Sequence, residues 1–134
     1  MRLLLDTTLC IDLMRGKIRG AFEKLRSMPP HDAGISTVTL AELLYGAAKS
    51  NRRGYHEQLI ASFCAPLAVA PFDSRAAECY GDLRASLERA GTPIGPLDTL
   101  IAAHALALGT TLVTANVREF RRVTGLNVEN WRSL

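Results

Sequence analysis

Pro96-Leu97-Asp98-Thr99-Leu100-Ile101-Ala102-Ala103-His104-Ala105-Leu106-Ala107-Leu108-Gly109-Thr110-Thr111-Leu112-Val113-Thr114 is the stretch whose reading decides the fold. Pro96 suits the first position of a helix, where its missing N–H would have had no partner anyway. Gly109 suits the position just past the helix end, where the backbone turns left-handed. Thr111 to Thr114 then reads as a short strand. A nearly all-apolar helix delivered straight into a strand is half of a βαβ unit, and the rest of the chain repeats that alternation.

Working outward, Leu126-Asn127-Val128 reads as a last strand. Upstream, Gly91 to Gly95 is a loop, preceded by a helix from Asp73, which has N-cap character, to about Ala90. Ala76, Ala77, Tyr80, Leu83 and Leu87 form its inward stripe. Leu67 to Ala70 is a strand, Tyr55 to Phe63 a helix, and Val38 to Lys49 another helix after the strand Gly34-Ile35-Ser36. Pro29-Pro30 ends a helix from Ile18 to Leu25 that has Ala21, Phe22 and Leu25 on one face. A helix from Leu9 to Met14 follows the opening run Leu3-Leu4-Leu5, a short buried strand. Strands alternating with helices predict a parallel sheet covered on both faces. Right-handed crossovers put all strand C-termini on one edge, where ligands bind in such folds.

Isolated acids stand out against this apolar background. Asp6 ends the first strand. Glu42 lies inside Thr39-Leu40-Ala41-Glu42-Leu43-Leu44-Tyr45. Asp98 opens the apolar helix, and Glu119 follows the strand Thr111 to Thr114. A carboxylate in apolar surroundings costs stability unless something compensates it. Several converging on one cleft point to a divalent cation, whose charge lets them stay ionised together. Oxygen-only donors favour Mg²⁺ or Mn²⁺ over zinc.

Each acid also has an ordinary reading. Asp6 can cap a helix or close an Asx-turn. Thr39-x-x-Glu42 matches a capping box, although a helix starting at Ser36 or Thr37 would leave Glu42 in its interior. Asp98 suits the positive end of a helix dipole. Glu119 is of a type most often solvated. Asp98 starts a helix rather than following a strand, so its convergence with the others is inferred. His31, His56 and His104 lack metal-ligand spacing, and His104 reads as a hydrogen-bonded core residue. Arg52-Arg53 and Arg121-Arg122 read as solvated basic pairs.

The chain's 134 residues suit one domain, and 48% hydrophobic with 22% charged residues suits a folded core. A net charge of +3 permits a polyanionic partner without demanding one. Cys10, Cys64 and Cys79 are an odd count among apolar neighbours, so buried reduced thiols in a reducing cytosol are expected. No apolar run reaches the roughly 20 residues of a membrane span, and no signal peptide is read, giving a cytoplasmic expectation. No Gly-rich phosphate loop follows the first strand, which argues against a dinucleotide or P-loop fold.

The residues resemble the PIN-domain family, specifically the VapC-type toxins of bacterial toxin–antitoxin modules. The likeness runs through Leu5-Asp6-Thr7-Thr8, Ile35 to Gly46, Gly91 to Asp98 with the following Leu100 to Ala105, Leu112 to Phe120, and Glu129-Asn130-Trp131. It implies a single PIN domain over residues 1–134 with a three-layer α/β/α fold. It implies an Mg²⁺- or Mn²⁺-dependent endoribonuclease cutting tRNA or rRNA and so inhibiting translation. The acidic site would comprise Asp6, Glu42, Asp98 and Glu119, with Thr7 and Asn116 supporting it. A homodimer and a cognate antitoxin are implied as partners.

On this reading Asp6 and Asp98 bind metal directly. Glu42 binds through water or orients the attacking water, and Glu119 completes the site when phosphate arrives. Thr8 stands where many members carry Asn, and Ala115 where many carry the first of two Asn residues; neither removes a ligand candidate. Those two departures are the sequence hints for a catalytically weak RNA-binding module. A phosphoacceptor domain ranks third, because one acid follows the first strand and no lysine follows Lys49.

Overall fold

The computed structural model describes residues 1–134. Its elements are β1 (Leu3–Leu5), α1 (Thr7–Met14), α2 (Arg19–Ser27), β2 (Ala33–Ser36), α3 (Thr37–Ala48), α4 (Arg53–Cys64), β3 (Ala68–Ala70), α5 (Ser74–Arg89), α6 (Pro96–Leu108), β4 (Thr111–Thr114), α7 (Val117–Phe120) and β5 (Val128–Asn130). The sheet has five strands in the order β3-β2-β1-β4-β5, and every pairing is parallel. The chain thus winds outward from β1 to β3, then crosses back to place β4 on the other side of β1. That reversal opens a crevice beyond the C-termini of β1 and β4, the usual ligand site of an open parallel sheet.

Adjacent residues on each central strand feed opposite layers, because side chains alternate across a sheet. Leu5, Ile35 and Val113 join α1 to α4 through Leu9, Leu13, Ala21, Leu43 and Ile60. Leu4 and Leu112 join the other layer, with Leu87 of α5, Ile101 and Ala105 of α6, and Phe120 of α7. This is the expected three-layer α/β/α arrangement. Leu4, Leu5, Ile35, Leu112 and Val113 are fully buried. Each contributes about 1.5–3 kcal/mol of apolar transfer free energy, which is why such short strands hold their register.

Two glycines are required by geometry. Gly109 ends α6 with φ 68°, as its position past Leu108 suggested. Gly34 pairs with Ala68, and a Cβ on it would lie 2.6 Å from the Ala68 carbonyl oxygen.

Several expectations shift. β5 begins at Val128, two residues later than read from Leu126-Asn127-Val128, because Leu126 N–H turns back to the Val123 carbonyl. Trp131, fully buried, then anchors the strand's end: its Nε1 donates to Glu129 Oε1 at 3.0 Å, and its N–H donates to the Thr114 carbonyl. On α5, Ala76 and Leu87 are buried and Tyr80 and Leu83 half-buried, but Ala77 is exposed and leaves the inward stripe. Cys10 is buried, whereas Cys64 and Cys79 are only half-buried. No helix is long and apolar enough to cross a membrane.

Candidate active site

Asp6 is the first residue after β1. Its N–H donates to the Val113 carbonyl at 3.0 Å, which sets it level with Thr114 across the β1–β4 pair. Its Oδ1 accepts from Leu9 N–H at 2.8 Å, so Asp6 is the N-cap of α1. Its Oδ2 accepts from Thr114 Oγ1 at 2.5 Å. The residue is only 3% exposed. Burial pushes its pKa up, the Thr114 and Leu9 hydrogen bonds pull it down, and the charge of Asp12 adds a smaller upward push. Each carboxylate oxygen therefore has one lone pair engaged, Oδ1 by the cap and Oδ2 by Thr114, and one left for a ligand.

Asp98 lies in the first turn of α6, after the Pro96 that starts the helix. It is half-buried, and its pKa is pushed up to about 7. Burial is the largest cause, followed by a hydrogen bond with Glu119, then the charges of Glu119 and Asp6. Asp98 therefore sits against Glu119 and within electrostatic range of Asp6, although Asp98 does not follow a strand. The loop before α6 is tied to the region after α7 by Arg122 Nη1, which donates to the Pro93 carbonyl at 2.9 Å. Arg122 is exposed, but it has this specific partner rather than being merely solvated.

Glu119 sits on α7, a four-residue helix that follows β4. Asn116 is the N-cap residue of α7, and its side chain makes no capping bond. Its N–H donates to Thr114 Oγ1 at 2.9 Å. Thr114 therefore positions Asp6 and the start of α7 through one hydroxyl.

Glu42 stands apart from the trio. The N-cap of α3 is Ser36, whose Oγ accepts from Val38 N–H at 3.0 Å, so the capping-box reading of Thr39 and Glu42 is set aside. Thr39, one turn before Glu42 on the same face, is buried and lies 3.0 Å from Thr7 Oγ1. Glu42 is half-buried on the face of α3 that meets the start of α1, and no hydrogen bond or ion pair joins it to the other acids. Thr8 is exposed and caps nothing, since Asp6 holds that position. Ala115 packs against the core.

Three residues read in the sequence only for local roles, Thr114 as a strand end and Thr39 and Ser36 as helix-start residues, prove structurally central through long-range bonds to Asp6, Thr7 and His104. Their partners are 108, 32 and 68 residues away in sequence, so no local pattern could reveal them.

No three His, Cys, Asp or Glu side chains form a closed metal-ligand set. The donor chemistry nevertheless suits Mg²⁺, which keeps several waters and commonly takes only one or two protein carboxylates plus substrate phosphate. Burial first, and then the crowding of Glu119 and Asp6, hold a proton on Asp98 near neutral pH, and the crowding is what a dication would relieve.

The PIN domain family matches residues 3–126, and the chain belongs to that family. It is 40% identical to the tRNA(fMet)-specific endonuclease VapC of Shigella flexneri, over 98% of both chains. It is 36% identical to ribonuclease VapC2 of Rickettsia felis, over 96% of both. The DNA-bound VapBC structure from Salmonella typhimurium aligns with TM-score 0.87 at 40% identity, over 98% of both chains. The VapBC2 structure from Rickettsia felis, bound to a promoter DNA fragment, gives 0.89 at 34%, over 98% of this chain and 99% of that one. Within the PIN domain family the chain is of the VapC type, the ribonuclease class these relatives represent.

Proposed function

We propose that this chain is a divalent-cation-dependent endoribonuclease, the toxin of a toxin–antitoxin pair, and that residues 1–134 act as one PIN domain. The observation that carries this reading is the Asp6, Asp98 and Glu119 group at the β1–β4 crevice, with Asp98 raised to about 7. The substrate is structured RNA, with tRNA ahead of rRNA because the Shigella relative is named for tRNA(fMet). Cutting it would stop translation. The protein works in the cytoplasm, where that RNA is found, and as a homodimer.

Asp98 and Glu119 would hold Mg²⁺ or Mn²⁺ together with Asp6, with Glu42 on α3 as the candidate for a contact through water. When bound, the cation supplies charge relief on the phosphoryl oxygens and lowers the pKa of water. Asp6 is kept in one orientation by its bonds to Leu9 N–H and Thr114 Oγ1. Glu42 would orient the attacking water, and Asn116, whose side chain makes no capping bond, would steady the substrate phosphate.

The antitoxin partner is supported by the VapBC complexes among the structural relatives. An apolar groove lined by Leu13, Met14, Phe22, Leu25, Met28 and Phe63 suits an amphipathic helix from it.

The test is incubation of the antitoxin-free protein with total tRNA and Mg²⁺ or Mn²⁺, beside EDTA and Asp98→Asn controls. Discrete cleavage lost in both controls supports the reading. Cleavage that persists in EDTA sinks the metal requirement, and RNA binding without cleavage would favour a non-catalytic module.

A further inference from the structure

We propose that the α3–α4 turn carries a single-stranded-RNA docking strip built from Tyr45, Lys49, Arg52 and Tyr55, leading away from Glu42. The inference rests on the ribonuclease reading above and adds where the unpaired part of the substrate lies.

Glu42 and Tyr45 are spaced i, i+3 on one face of α3, and Lys49, its C-cap residue, continues that face at i+7. From the acid to the lysine is roughly 10 Å along the helix at 1.5 Å per residue. Tyr45 is 60% exposed and Tyr55 47% exposed, unusual for aromatic rings in a chain with a well-filled core. Each ring has a cation seated on it. Lys49 Nζ lies 5.0 Å from the centre of the Tyr45 ring, and the Arg52 guanidinium lies 4.0 Å from that of Tyr55. His56 meets Tyr55 edge-on at 5.4 Å.

Neither Lys49 nor Arg52 takes part in an ion pair; the four present are Arg2–Asp32, Lys24–Glu129, Arg53–Glu57 and Arg84–Glu88. Two uncompensated cations and two exposed rings within eleven residues of chain are the two halves of single-strand recognition. Cations take phosphates, and aromatic faces stack bases whatever their identity. A duplex could use the cations but not the rings. A protein partner would need an apolar, charge-poor centre, and here each ring is covered in part by a charge.

The position gives the strip its role. A substrate whose scissile phosphate sits at Asp6, Asp98 and Glu119 passes Glu42, and the next unpaired nucleotides run along α3 toward the turn.

The probe is a fluorescein-labelled RNA hairpin with an unpaired loop, measured against a blunt RNA duplex, by anisotropy over a salt series. The parent protein carries Asp98→Asn to prevent cleavage. Tyr45→Leu and Tyr55→Leu keep apolar bulk at exposed positions and should each weaken hairpin binding about 5-fold or more, with duplex binding little changed. Lys49→Gln and Arg52→Gln should each lower the log–log salt slope by about 0.7. In the otherwise wild-type protein the four variants should raise KM and leave kcat nearly unchanged.

Hairpin affinity and slope equal to the parent's in all four variants would overturn the strip while leaving the nuclease reading intact. A shift from dimer to monomer by sedimentation, with RNA affinity per subunit unchanged, would overturn it in favour of an interface between copies. A parent protein with no RNA affinity, together with no cleavage by the wild type, would remove the ribonuclease reading and the strip with it.

Discussion

Thr114 Oγ1 donates to Asp6 Oδ2 at 2.5 Å across 108 residues of sequence, and the same oxygen accepts from Asn116 N–H at 2.9 Å. One hydroxyl therefore sets the buried carboxylate at the end of β1 and the path of the chain into α7, where Glu119 lies. Thr114→Val keeps the shape but removes donor and acceptor together. A lost hydrogen bond to a charged group costs about 1.5–3 kcal/mol. The urea midpoint should fall accordingly, and RNA cleavage should fall with it, whereas Thr114→Ser should retain most of both. Unchanged cleavage in Thr114→Val would show that the bond positions nothing.

The raised Asp98 pKa has a defined sign in stability. An acid at about 7 in the folded state and near 3.8 when unfolded binds more protons folded, so stability falls as pH rises between those values. Asp98→Asn should therefore stabilise the metal-free protein at pH 8. Solvent screens this half-buried group, which reduces the effect to about 1–2 kcal/mol. The difference from wild type should shrink toward zero at pH 4, as denaturation in EDTA at both pH values would reveal. A destabilised variant at pH 8 would mean that Asp98 is structural.

Asp6 separates capping from catalysis. Asn caps a helix about as well as Asp, so Asp6→Asn should fold with stability within about 1 kcal/mol of wild type. Asp6→Ala loses the bonds to both Leu9 N–H and Thr114 Oγ1 and should cost about 2 kcal/mol or more. Both should lack cleavage. A folded, active Asp6→Asn protein would leave Asp6 with the cap alone.

Added Mg²⁺ should raise the melting temperature of the wild type by mass action, since a ligand of the folded state stabilises it. Asp98→Asn should respond much less. Equal shifts in both proteins, read by thermal scanning in EDTA and in Mg²⁺, would place cation binding elsewhere.

His104 links α6 to the start of α3 through Ser36 Oγ, and its ring meets Phe72 edge-on at 5.3 Å. Burial lowers its pKa, so the unfolded chain takes up a proton first as pH falls below the ordinary value of 6.5. Its contribution to stability is full above that value and is lost on acidification toward the lower folded pKa. Between pH 6.5 and 5, wild type should lose more stability than His104→Gln, as paired urea titrations would measure. Parallel pH curves would remove His104 as the source.

Local physics made much of this protein readable from sequence. The β1–α1 unit announced itself because Leu3-Leu4-Leu5 is too apolar for anything but a buried strand and Asp6 is a good cap. The ends of α6 were legible because proline and glycine have positional preferences that act within one residue. The parallel alternation followed from the same local signals, and with it the edge on which Asp6 and Glu119 would lie. Ala77 failed because a stripe on a long surface helix is wider in sequence than in the structure, and β5 slipped because its start depends on a turn at Val123 and Leu126.

Only the tertiary structure decided which acids meet. The strand order places β4 against β1, so Thr114 reaches Asp6, and the Gly91–Gly95 loop delivers Asp98 to Glu119 rather than to Glu42. Side-chain type and helix caps are set by near neighbours, and sequence by itself determined them. Proton affinity depends on burial and on charges that approach through space, and those distances exist only once the sheet has closed around β1.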